Sequence, residues 1–188
     1  MPVSATLAAN EVITARRSRG QPVLPLGFGE AGLPVCPALR RALAAATGAN
    51  GYGPVAGEKA LRSAAAGYWT RRDLPTSPDQ VVCGPGSKPL LFGLLLALGA
   101  DVAVPSPSWV SYAAQARMIG AGAQFMPTAV GEGGMPDPAA LDAAATAAAA
   151  VGRPIRSVVV TLPDNPTGRL ARPATVRAVC QVALGADS

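Results

Sequence analysis

SVVVTLPDNPTG, residues 157–168, is the stretch whose reading decides the fold. Val158, Val159 and Val160 form a continuous β-branched run, the pattern of a strand covered on both faces by helices. The run predicts a strand over Ser157–Leu162, followed at once by Pro163, Asp164, Asn165, Pro166 and Gly168, which are turn formers. In open parallel sheets, ligands gather at loops that directly follow strands.

The same alternation continues on both sides. Upstream, Pro138–Val151 reads as an Ala-rich helix with Asp137 at its start, where a carboxylate suits the helix dipole. Ala123–Met126 and Asp101–Val104 read as strands, and Trp109–Ile119 as the helix between them. Gln80–Cys83 is a short strand signal, and Ser87–Leu98 an apolar helix. Downstream, Pro173–Leu184 is a last helix. Short apolar strands alternating with helices predict an α/β fold, a mostly parallel sheet flanked by helices.

Before residue 80 the pattern differs. Residues 1–36 read as an irregular arm broken by Pro22, Pro25 and Pro34, and Pro37–Gly48 as a short helix. A turn-rich stretch, Asn50–Gly57, precedes a helix over Glu58–Arg72. With 188 residues the chain is sized for one domain.

Composition excludes several functions. There is no His, so no His-based triad or His-ligated zinc site exists, and no metal site is expected. Three cysteines without a close pair, Cys36, Cys83 and Cys180, argue against a disulfide framework and predict free, mostly buried thiols in a reducing cytoplasm. The net charge is +5, but the Arg residues are scattered and only two Trp, three Tyr and three Phe could stack on bases. Nucleic-acid binding is not expected. The longest apolar run, Pro89–Ala100, is 12 residues long and broken by glycines, where a bilayer needs about 20. It predicts a buried helix rather than a membrane span, and residues 1–20 lack the basic-then-apolar order of a secretory signal.

Three loops carry the chemistry. Gly84-Pro-Gly86-Ser87-Lys88 lies between a strand and a helix, where free N–H groups and a positive dipole end favour an anion. A turn there needs glycine whether or not anything binds, and the spacing is neither a Walker loop nor a dinucleotide fingerprint. Trp109, after the strand Asp101–Val104, can stack on a flat ligand or simply fill the helix–sheet interface. Asn165 can donate its amide to a ligand oxygen or belong to an ordinary turn. Their shared position after strands points to one common site.

Taken in order, these motifs resemble the first half of a class I/II aminotransferase, a pyridoxal 5'-phosphate (PLP)-dependent enzyme of fold type I. The resemblance runs from about Leu24 to the last helix. It rests on Leu26-Gly-Phe-Gly29-Glu30, on Tyr52 with Gly57 and Leu61-Arg62, on Asp101-Val-Ala-Val-Pro with Trp109 and Tyr112, and on Asn165-Pro-Thr-Gly168. It implies residues 1–45 as an N-terminal arm and small-domain segment, and 46–188 as part of a PLP-transferase large domain. It also implies that Gly86, Ser87 and Lys88 hold the cofactor phosphate, Trp109 stacks on the pyridine ring, and Asn165 donates to its phenolic oxygen. Tyr52 would reach the phosphate of a neighbouring subunit, implying a homodimer, and Gly29 would offer backbone to the substrate carboxylate. Ala31-Gly-Leu33 departs from the family's Pro-Asp-Phe, so the amino acid substrate is not assigned.

The resemblance implies no catalytic residue within these positions. In the family the Schiff-base lysine and the acid facing the pyridine nitrogen follow the Asn-Pro-x-Gly motif on later strands. The 23 residues after Asn165 contain no Lys, and Asp187 falls too early. Of the two lysines, Lys59 lies on a solvated helix and Lys88 at the phosphate. The expectation is the N-terminal portion of an enzyme moving amino groups between amino acids and 2-oxo acids, inactive alone. It would act within a homodimer or with a missing C-terminal half. Alternatives are a non-catalytic PLP- or partner-binding module, a PLP-dependent lyase, and an unrelated α/β protein using Gly84–Lys88 for a nucleotide. An uncovered sheet edge and apolar face also predict poor solubility.

Overall fold

The computed structural model describes residues 5–26, 29 and 32–185. Gly27, Phe28, Glu30, Ala31 and Asp187, named above, lie outside the described residues. The chain divides into two compact units, Met1–Cys83 and Gly84–Ser188.

The first unit is helical. Where an irregular arm was expected, Ala5–Ser18 forms helix α1. Its alanines favour the helix, and Arg16 and Arg17 in its last turn complement the dipole. Helices α2, Pro37–Ala46, and α3, Lys59–Thr70, match their expected positions. A single 3-10 turn, Pro78–Gln80, is tied to α3 by Arg62, whose guanidinium donates to the Pro78 carbonyl at 3.0 Å. The strand expected at Gln80–Cys83 is absent. Val81 is extended, with φ −117° and ψ 127°, but no strand of the described residues pairs with this segment, and the Cys83 N–H donates to the Ala56 carbonyl instead.

The second unit is the α/β layer. Its order is α4 (Ser87–Leu98), β1 (Asp101–Ser106), α5 (Ser111–Met118), β2 (Ala123–Pro127), α6 (Pro138–Ala150), β3 (Ile155–Val158) and α7 (Pro173–Leu184). Pro at the first position starts both α6 and α7, its fixed φ matching a helix and its missing N–H costing no bond there. The three strands are parallel in the order β2-β1-β3, with Val102 facing Ala123 on one side and Ser157 on the other. Side chains on β1 alternate between faces. Val102 and Val104 join Leu95, Tyr112 and Ala116 in one core cluster, while Ala103 joins Met126, Met135, Leu141 and Val179 in another. Helices α4 and α5 thus cover one face, α6 and α7 the other.

Three further expectations are corrected. Strand β3 ends at Val158 and is partly exposed along its length, because β1 lies on one side only. The Val159 N–H still donates to the Ala103 carbonyl at 2.9 Å, but Val160 is outside the strand and exposed. Helix α4 buries Leu95, with Leu91 and Phe92 partly buried, and Leu94 and Leu96 remain 57% exposed. The cysteines are free but not mostly buried: Cys36 and Cys180 are exposed and Cys83 is half-buried. Cys180 follows Val179, which occupies the inward face of α7.

Candidate functional site

Helix α4 opens on Gly86, whose φ of +117° and ψ of 161° belong to a region essentially reserved for glycine. No side chain caps this helix. The Ser87 and Lys88 N–H groups are therefore without intrahelical acceptors, and Pro89 has no N–H to offer. Two free donors, the Ser87 hydroxyl and the Lys88 ammonium stand at the positive end of the helix dipole. That donor set suits a dianionic phosphate.

Lys88 is tied both to the next loop and to helix α5. Its ammonium lies 5.1 Å from the centroid of the Trp109 ring, a cation–π distance. Its carbonyl accepts from the amide of buried Gln115 at 2.8 Å. The Gln115 Oε1 is buried without a hydrogen-bond partner among the described residues. Trp109 is half-buried against the α4–α5 core cluster, and Tyr112 meets it edge-on at 5.3 Å. The packing reading of Trp109 thus holds, and part of its ring remains open.

The third loop is anchored to helix α5, which follows the second. The Tyr112 and Thr161 hydroxyls lie 3.1 Å apart. Beyond Thr161 the chain turns on Asp164, which is 5% exposed. The Asp164 carboxylate accepts from the Thr167 N–H at 3.1 Å and from the Thr167 hydroxyl at 2.6 Å. The Asp164 carbonyl accepts from the Gly168 N–H at 2.7 Å, and its own N–H donates to the Arg169 carbonyl at 2.8 Å. Asn165 sits on this closed turn, exposed. Sequence reasoning weighted Asn165 and missed Asp164. The available signal was an Asp three residues before a Thr, the spacing of a side chain closing its own turn.

The arrangement follows from topology. From β1 the chain passes to β2 on one side and then crosses back to β3 on the other. The carboxyl ends of β1 and β3 flank such a switch point, where open α/β sheets leave a crevice. Gly86, Ser87, Lys88 and Trp109 are brought together there, and the Tyr112–Thr161 contact links them to the segment leading to Asn165. Tyr52 and Gly29 belong to the first unit, where Tyr52 is fully exposed and a Cβ on Gly29 would meet no atom within 4 Å.

Two buried carboxylates lie outside this set. Asp101 accepts from the Gly122 N–H at 2.6 Å, from Arg153 at 3.1 Å and from Gln124 at 3.3 Å. These bonds, the Gly122 amide first, hold its pKa below the ordinary carboxylate value against the opposing effect of burial. Glu132 accepts from the Arg172 N–H at 2.6 Å and pairs with its guanidinium. The Arg172 amide is the main cause of its lowered pKa. No helix of the described residues is long and apolar enough to cross a membrane.

Comparison with known proteins gives a consistent result. The sequence profile of aminotransferase class I and II matches residues 21–186. The chain is 34% identical to a probable aspartate/prephenate aminotransferase of Thermus aquaticus and 33% identical to the aspartate/prephenate aminotransferase of Thermus thermophilus, covering 100% of this chain and 49% of each relative. Among solved structures it is similar to the aspartate aminotransferase of Thermus thermophilus with maleate, with a TM-score of 0.84 at 33% identity over 100% of this chain and 49% of that one. The aspartate aminotransferase of Rhizobium meliloti superposes with a TM-score of 0.85 at 25% identity, over 98% of this chain and 46% of that one. The chain thus spans about half the length of the curated relatives it matches.

Proposed function

Because the chain belongs to the class I and II aminotransferases, we propose that it forms the phosphate-holding and ring-stacking half of a PLP site for amino-group transfer. The observation that carries this reading is the uncapped start of α4 beside Trp109, with the Lys88 ammonium 5.1 Å from the ring. The donor set fits the cofactor: two backbone N–H groups, a hydroxyl and an ammonium for its phosphate, and an indole face for its ring. When bound, PLP supplies an electron sink for the amino acid α-carbon.

The chain's own residues do the positioning. Gly86 turns the backbone so that the Ser87 and Lys88 amides point at one anion. Gln115 holds the Lys88 carbonyl and so steadies the first turn of α4. Trp109 keeps water from one face of the ring, and Asn165 donates its amide to the phenolic oxygen. Lys59 and Lys88 have other places, so the Schiff-base lysine and the acid facing the pyridine nitrogen come from polypeptide beyond these residues or from a separate C-terminal half. Residues 1–45 serve as the arm and small-domain segment, and 46–188 as part of the large domain. Tyr52, fully exposed here, faces a second subunit of a homodimer, and Gly29 faces the substrate carboxylate. The named activities of the relatives put aspartate first among amino acid substrates. Free cysteines suit a cytoplasmic setting.

Titration of the purified chain with PLP and with inorganic phosphate, followed by tryptophan fluorescence, tests this. Both bind competitively, and Lys88→Ala weakens both by about tenfold, the scale of one charge-assisted bond. Borohydride leaves no covalent adduct, and no amino acid is turned over. Preference for ATP or NAD over PLP, or turnover by the chain alone, overturns the reading.

A further inference from the structure

Asn165 lies between two prolines, Pro163 and Pro166. Proline fixes its own φ and restricts the residue before it. Pro166 therefore limits both itself and Asn165, and Pro163 limits Leu162. The residue left with freedom to turn Asn165 toward or away from the site is Asp164. It is also the one the structure holds hardest, with a buried carboxylate on Thr167 and backbone bonds to Gly168 and Arg169.

A second loop forms the wall behind it. Residues 128–136 close on themselves through the Ala129 N–H to the Met135 carbonyl at 3.0 Å and a bridge between Thr128 and Pro136. Met135 is fully buried and anchors the loop in the core. A Cβ on Gly134 would overlap the Asp164 carboxylate, and one on Gly133 would come within 3.0 Å of Arg169. Glu132 reaches the start of α7 by accepting from the Arg172 N–H at 2.6 Å. The loop thus holds both ends of the segment that contains Asn165.

We propose that Asp164 is a positioning residue that presents the Asn165 amide to the ring oxygen of the ligand, and that the 128–136 loop, through bare Gly134 and the Glu132–Arg172 pair, fixes Asp164 in that role. This rests on the function proposed above. The Asp164–Thr167 bonds close the turn around Asn165 and Pro166, and the bare Gly134 leaves room for the carboxylate that makes them.

The test uses the whole chain with two probes, PLP and its 3-deoxy analogue, which lacks the ring oxygen. The native chain binds PLP about tenfold more tightly than the analogue, the scale of one well-made hydrogen bond. Asp164→Ala and Gly134→Ala bring PLP affinity down to that of the analogue and leave analogue affinity unchanged, while Asp164→Asn, which still accepts from Thr167, restores most of the difference. Hydrogen exchange at the Thr167 amide rises in the two alanine variants. Should they fail to fold, Thr167→Val removes one donor at nearly constant shape and shows the same selective loss. A variant that loses both probes equally shows a merely structural role, and one that keeps the native preference shows no role; either overturns the proposal. A native chain that binds both probes equally also overturns it, whereas one that binds neither removes the functional reading and the proposal with it.

Discussion

The hydroxyl of Tyr112 stands 3.1 Å from that of Thr161 and joins helix α5 to the segment that runs into the Asn165 turn. The two residues are 49 positions apart in sequence, and their contact couples the Trp109 loop to the Asn165 loop. Tyr112 is 9% exposed, so its hydroxyl has little access to water as a substitute partner. Tyr112→Phe is expected to cost about 1 kcal/mol, the usual net value of such a bond. Urea unfolding of Tyr112→Phe, Thr161→Val and the double variant reads the coupling directly. Strict additivity of the two single effects contradicts it.

Gly86→Ala places a side chain at φ +117°. The space is open, with no atom within 4 Å of the added Cβ, so the expected loss comes from the backbone. A residue forced into this region costs about 1–3 kcal/mol. The variant relieves that strain by turning the first peptide of α4, and phosphate affinity falls with it. Isothermal titration with inorganic phosphate measures the fall, and unchanged affinity speaks against the α4 start as the anion site.

Gly57 combines both problems. Its φ is +98°, and a Cβ there would sit 2.6 Å from the Cβ of Cys83. Gly57→Ala is expected to destabilise the first unit by roughly 1–3 kcal/mol through overpacking and strain. Hydrogen exchange at the Cys83 amide, which donates to Ala56, reports the change locally. Protection equal to that of the native chain excludes it.

The lowered pKa values of Asp101 and Glu132 fix the sign of an acid effect. Each carboxylate is more acidic folded than unfolded, so the unfolded chain binds protons first as pH falls. The stability they contribute is complete at neutral pH and is lost on acidification through the ordinary carboxylate range near 4 and below. Urea midpoints measured between pH 7 and 3 should fall, and Glu132→Gln should lower the midpoint at pH 7 while flattening the acid slope. A slope that Glu132→Gln leaves unaltered rules out its part.

Leu90, Leu94 and Leu98 are spaced to share one side of α4, and all three are exposed. Edge strand β3 adds open backbone groups. Concentration-dependent association is therefore expected in sedimentation velocity, and Leu94→Lys is expected to reduce it by breaking the stripe. A chain that sediments as a monomer at all concentrations contradicts the expectation.

Much of the fold was legible in local pattern. Helices α2, α4 and α7 fall where Pro, Gly and apolar spacing placed them, and the parallel α/β layer follows from alternation. The errors share a cause. Val158–Val160 reads as a fully covered strand because its residues are β-branched, yet coverage depends on a neighbour that sequence spacing does not name. Gln80–Cys83 likewise has strand composition but no partner among the described residues. Leu90–Leu98 is apolar all round, and only packing decides that Leu95 is buried while Leu94 is not. Helix α1 was hidden by the prolines that follow it.

The sequence by itself determined the element order from Ser87 to Leu184, the glycine turn that opens α4, and the family likeness carried by Tyr52, Trp109 and Asn165. Local chemistry suffices for these, because a glycine turn, a proline start or an apolar period acts within a few residues. Tertiary structure alone decided that Lys88 meets Trp109, that Tyr112 meets Thr161, and that Asp164 lies against Gly134 to hold the Asn165 turn. Those contacts join residues 21 to 49 positions apart. They exist only because parallel strands bring their carboxyl ends to one edge of the sheet.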